Sequence, residues 1–211
     1  ERRTRWKRVL NMEEHLIGEL LGQLYVKEYY SKEAKNRYID QVEAIRTAMK
    51  ERIAKLDWMS DSTKQKAYVK LATMKKKVGY PDKWKDYSSL KIGNESYTQN
   101  VINAQLWQYQ YEVNKLGKPV DRDEWGMTPQ TYNAYYNPSN NEIVIPAAIM
   151  IVPGYKDEEL DDAITYGYVA ASTIGHEITH GFDDEGRQFD EKGNLKNWWN
   201  AADGLEFNKR T

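Results

Sequence analysis

Apolar residues recur every three to four positions through the first third of this chain, a spacing that commits a segment to helix. Val9, Met12, Leu16, Leu20 and Leu24 form one stripe, and Ile39, Val42, Ile45, Met49, Ile53 and Leu56 repeat it. Residues 5–77 are therefore expected to run as helix upon helix. The third helix covers 60–77, with Ser60 or Asp61 as its cap and an end near Gly79-Tyr80-Pro81. A fourth covers 96–116, before the turn Gly117-Lys118-Pro119. The pattern then changes. Thr131 to Tyr136 is rich in strand formers, Asn137-Pro138-Ser139-Asn140-Asn141 is turn material, and Glu142-Ile143-Val144-Ile145 is a strand, which together predict a hairpin. A long helix is expected over 158–182, a polar loop over 183–193, and a last helix from Ala201. The expected class is α+β and mainly helical. A soft boundary near residue 118 separates a helical module, 1–117, from a mixed one, 118–211.

Charge and aromatic content limit what such a chain can do. Lys plus Arg number 31 and Asp plus Glu 32, for a net charge of -1. A protein that lives on nucleic-acid phosphates needs a basic surplus, so no nucleic-acid partner is expected. Seven Trp and 16 Tyr supply enough buriable surface for a folded core. There is no cysteine, which excludes disulfides and thiolate metal sites. No apolar run approaches the length of a membrane span, and no signal peptide is evident. The chain opens at Glu1 without an initiator Met and closes at Thr211 inside an expected helix, so both ends read as cut.

One motif carries chemistry. His176-Glu177-Ile178-Thr179-His180 is H-E-x-x-H, and on a helix its two histidines share a face and can reach one ion. Zinc takes imidazole nitrogen and, in catalytic sites, keeps a position for water. Glu177, between the ligands, can act as general base on that water. The chain has three histidines; the third, His15, lies on the first helix and reads as a surface or satisfied residue.

Two histidines need a third protein ligand. A histidine six residues after the second is excluded, because that position is Gly186, and Asp183 stands where the spacer glycine of that arrangement belongs. The third ligand should then be a carboxylate. The downstream candidates are Asp183, Asp184, Glu185, Asp190, Glu191 and Glu206, most of them in a loop of the kind that is usually solvated. Asp183 could instead accept a hydrogen bond from a zinc histidine and orient it, as metal sites normally require.

The wider sequence resembles the neprilysin family of zinc endopeptidases, gluzincins with a downstream Glu ligand. The matching stretches are Asn133-Ala134-Tyr135-Tyr136-Asn137-Pro138, Asn141 to Ala147, Ile174 to Arg187 around the H-E-x-x-H, and Asn197-Trp198-Trp199. Leu21 to Val26 and Lys55 to Met59 are similar too, so the likeness covers essentially the whole chain. The resemblance implies a zincin-type, thermolysin-like catalytic part with a small edge hairpin, joined to part of a helical cap domain. It implies one Zn2+ at His176 and His180, general-base chemistry at Glu177, and short peptides as substrates. Asn133 and Ala134 are implied as an edge strand that pairs with peptide backbone, and Ile149 as lining for the residue after the cut bond. Val152-Pro153-Gly154-Tyr155 and Ser172-Thr173 depart from animal members and, with the lack of cysteine, look bacterial. The third zinc ligand, by the same resemblance, is a Glu on a helix beyond Thr211. The chain alone is thus expected to have little or no activity unless another chain, such as a complementary C-terminal fragment, completes the site. An extracytoplasmic setting, periplasmic or cell-surface, is expected, with the cytoplasm left open.

Overall fold

Residues 3–211 are described by a computed structural model. A long helix α1 (Arg5–Tyr29) is followed by α2 (Lys32–Ala54), α3 (Asp61–Thr73), strand β1 (Lys75–Gly79) and α4 (Tyr97–Val113). Then come β2 (Tyr135–Asn137), β3 (Glu142–Pro146) and the short helices α5 (Ala147–Met150) and α6 (Asp162–Thr165). A π-helical segment (Tyr166–Ile174) runs straight into α7 (Gly175–His180), and α8 (Ala201–Arg210) closes the described chain. The fold is mainly helical α+β, as the apolar spacing predicts.

The sheet has three strands in the order β1-β3-β2, with β3 central, parallel to β1 and antiparallel to β2. All five residues of β3 are buried. Its fully enclosed Ile143, Val144 and Ile145 are each worth roughly 1.5–3 kcal/mol of burial. The expected hairpin is β2–β3, turned at Asn141, whose φ of 45° is a left-handed conformation that asparagine tolerates.

Three expectations are corrected. The third helix stops at Thr73, and Lys75–Gly79 is a strand rather than the helix end. Three successive lysines look like a solvated helix face, but Lys77 is buried and its ammonium pairs with Glu142 of β3 at 2.8 Å. The helix expected over 158–182 is broken, with a 3-10 turn at Asp157–Glu159, then α6, then nine π-helical residues before α7. Val169, Ala170 and Ile174 all face the core, and i→i+5 winding brings Val169 and Ile174 nearer to one face than a 3.6-residue period would. On α1 the stripe is only partly buried. Leu16 is enclosed with Gly18 and Gly22, while Leu20 and Leu24 are exposed. A methyl group on Gly22 would fall 2.8 Å from the Pro129 ring, so this glycine lets the 128–130 segment lie against the helix.

The core joins one face of α2 (Ala34, Tyr38, Val42, Ile45, Ile53) to α3, the sheet, the π segment and α7. Sheet and core both span the boundary expected near residue 118. At the far end Trp199 stacks on Trp58 and meets Phe207 of α8 edge-on. Asp203 of α8 accepts from the Ser60 amide at 3.1 Å, at the start of α3. The loop after α7 is thereby closed back onto α3.

Candidate metal centre

The six residues of α7 divide by face. Ile178 is fully buried, together with Ile174 before it and Phe182 after it, and this anchors one side of the helix in the core. The other side carries His176, exposed, and His180, half-buried. Their Nε2 atoms stand 3.0 Å apart and their rings meet at 83°. Residues four apart on a helix lie one above the other, so this convergence follows from the spacing alone. Glu177 turns inward beside β2 with 6 % exposure. Burial pushes its carboxyl above the usual range, and His180, His176 and the Tyr136 amide offset part of that rise.

Asp183 sits beside the pair. Its Oδ2 lies 2.7 Å from His180 Nδ1, while its Oδ1 accepts from the amides of Glu185, at 3.1 Å, and Gly186, at 2.7 Å. With Nδ1–H donated to the carboxylate, the His180 lone pair is left on Nε2, facing His176. Zinc binds imidazole at about 2.0–2.1 Å, so two ligands at a tetrahedral angle would stand about 3.3 Å apart. The observed separation is within a small ring rotation of that value, and both donors are nitrogen. The residues present fit zinc.

The other expected residues are placed as follows. Asn133 is exposed and its Oδ1 accepts from the Ala134 amide at 2.9 Å. Ala134 is buried, and regular pairing begins one residue later, at Tyr135. The two therefore lead into the edge strand rather than lie within it. Ile149, on α5, is half-buried against the core. Asp190 is buried and committed to its own loop through Lys192 and Asn194, which hold its carboxyl below the usual range despite burial. Glu206 pairs with Lys209 and Arg210. Asp184 and Glu185 are exposed and His15 is on the surface of α1. Among the described residues, no group of three His, Asp or Glu is assembled that could hold a metal.

Two contributors escape the sequence reading. Tyr136 brings a β2 amide to the Glu177 carboxylate. Gly186 lies so close to the motif that a methyl group there would fall 1.7 Å from the His180 carbonyl oxygen. A glycine six residues past a candidate ligand was a visible signal of such an approach.

Two family models of peptidase family M13 match the chain, over residues 1–81 and 133–211. An endothelin-converting enzyme homolog of Locusta migratoria is 35% identical over 213 residues, which is 98% of this chain and 29% of that protein. A neutral endopeptidase of Lactobacillus helveticus is 39% identical over 196 residues, 92% of this chain and 30% of that protein. The crystal structure of the Mycobacterium tuberculosis zinc metalloprotease Zmp1 with an inhibitor superimposes with a TM-score of 0.88 at 47% identity, covering 100% of this chain and 31% of that one. PepO from Lactobacillus rhamnosis gives 0.83 at 36% identity over 93% of this chain and 31% of that one. The chain thus spans less than a third of the length of these relatives.

Proposed function

The chain belongs to peptidase family M13, the neprilysin family of metallopeptidases, and on that premise we propose that it carries the zinc-binding helix of an endopeptidase that hydrolyses short peptides. In this reading residues 1–117 are the end of a helical cap and residues 118–211 the first part of the catalytic domain. The observation that carries the proposal is the α7 geometry. Two Nε2 atoms converge to 3.0 Å, a carboxylate lies between them in sequence, and Asp183 holds the opposite nitrogen of one ring.

His176 and His180 would hold the ion. When bound, zinc lowers the pKa of its water and polarises the scissile carbonyl. Glu177 takes a proton from the attacking water and returns it to the leaving amine. A carboxyl already raised by burial is suited to that exchange. Asp183 keeps His180 in the tautomer that leaves Nε2 free. The outer edge of β2, opposite β3, is open to a peptide that adds as a further strand, with Asn133 and Ala134 at its entrance and Ile149 lining the next side-chain position.

Because no third donor is assembled among the described residues, the second part of the proposal is that the chain alone does not turn over substrate. A further segment or a complementary fragment of the same protein would supply the missing carboxylate. The test is Glu177→Gln in the complete enzyme. Peptide hydrolysis should be abolished while zinc content stays unchanged, since Glu177 is a base and not a ligand. Substantial residual hydrolysis in that variant would remove its assigned role.

A further inference from the structure

Lys70 is a buried cation with no carboxylate partner within 4.0 Å among the described residues. It lies on α3 with 1% exposure. Its Nζ donates to the carbonyls of Gly186, at 2.6 Å, and Phe189, at 2.7 Å. The rings of Tyr136, Phe182 and Trp198 surround it at 5.8, 5.8 and 5.7 Å. Burial draws the ammonium down to about 8, which leaves it charged at neutral pH. Enclosing a lysine charge is unfavourable, and an apolar residue of similar length would fill the same space without that cost. The two carbonyls it grips belong to the turn that follows the metal helix.

From Gly186 a continuous path leads to the metal centre. The Gly186 amide donates to Asp183 Oδ1 at 2.7 Å, and the other oxygen of that carboxylate meets His180 Nδ1, also at 2.7 Å. The same glycine packs its α-carbon against the His180 carbonyl, where no side chain fits. Asn141 fastens the near end of the path by donating to the Lys70 carbonyl at 3.0 Å. We propose that Lys70 is a positioning residue of the metal centre: its ammonium fixes the Gly186–Phe189 turn, so that Asp183 holds His180 with Nε2 presented to the ion. The proposal rests on the zinc reading above. Lys70 itself touches neither ion nor substrate.

The experiment measures Zn2+ affinity by competition with a chromophoric chelator, and the ligand-field spectrum with Co2+, on the full chain and its variants. Lys70→Met and Asp183→Asn should each weaken zinc by about 10–100-fold, the usual loss when a group behind a metal ligand is removed. The two should share one path, so the double variant should bind no more weakly than Asp183→Asn alone. Lys77→Met, a comparably buried lysine that does not contact this turn, should lower stability and leave zinc affinity within twofold. Lys70→Arg, which keeps a charged donor, should recover most of the affinity and the unaltered Co2+ spectrum. If Lys70→Met does not fold, Lys70→Gln carries the same comparison, with a loss of threefold or more. Unchanged affinity and spectrum in the Lys70 variants would overturn the proposal, as would independent losses in the double variant or an equal loss in Lys77→Met. An unaltered chain that takes up no metal would overturn the zinc reading and this inference with it.

Discussion

Lys77→Met would break the ion pair that joins β1 to β3. Lys77 and Glu142 have side-chain exposures of 4% and 2% and stand 2.8 Å apart. Removing the lysine strands a carboxylate whose other side-chain contacts are two long amide bonds, from Asn137 at 3.5 Å and Asn140 at 3.3 Å. An uncompensated buried charge costs about 3–5 kcal/mol. At about 2.1 cal/mol/K of unfolding entropy per residue, 211 residues give about 0.44 kcal/mol/K, so a loss of ~4 kcal/mol lowers Tm by ~9 °C. The double variant Lys77→Met, Glu142→Met removes both charges. It should cost only about 1–2 kcal/mol, mainly the hydrogen bond that Lys77 makes to the Glu124 carbonyl. Denaturant unfolding followed by tryptophan fluorescence measures the parent, the Lys77→Met and Glu142→Met single variants and the double variant. A single-variant cost under about 1 kcal/mol, or a double variant as unstable as the two singles added, would refute the reasoning.

Two further outcomes follow from the loop behind α7. Unfolded, Lys70 keeps its proton to about 10.5, whereas in the fold it does so only to about 8. Between those values the unfolded chain binds more protons, so stability should rise with pH across that window, by at most about 3 kcal/mol. The buried tyrosines Tyr30, Tyr38 and Tyr136, all pushed upward by burial, act in the opposite sense only above the ordinary tyrosine range near 10. Melting of the chain against Lys70→Met from pH 7.5 to 10 checks this, and parallel curves would refute it. Gly186→Ala should displace the turn, because the methyl group cannot occupy a point 1.7 Å from a backbone oxygen. The expected result is a loss of about 1–3 kcal/mol and at least tenfold in zinc affinity, read by melting and metal titration. Unchanged values in both would place Gly186 outside the site.

Much of the helical frame was legible because it is written locally. The α2 stripe, the start of α4 near residue 96, and the Asn-rich hairpin turn all act within a few residues of themselves. The convergence of His176 and His180 was legible for the same reason, since four-residue spacing on a helix fixes their meeting. What escaped depends on distant partners. Strand β1 is specified by a parallel neighbour 67 residues later and by Lys77, whose partner Glu142 lies on that neighbour. The π winding over Tyr166–Ile174 has no local signal, because its buried residues Ala170 and Ile174 lie at the four-residue spacing of an ordinary helix. Nothing local marks Lys70, because its acceptors lie 116 and 119 positions away. Asp183 was readable as a partner for His180, three residues back, but not as the end of a path that starts on α3.

Metal content of the purified chain, with its intact mass determined alongside, tests the central claim most directly. The account predicts that the chain takes up zinc in excess metal, weakly because no third ligand is assembled among the described residues, and loses it on replacement of either His176 or His180. A well-folded chain that holds no zinc in excess metal, or one that keeps zinc after both histidines are replaced, would contradict it.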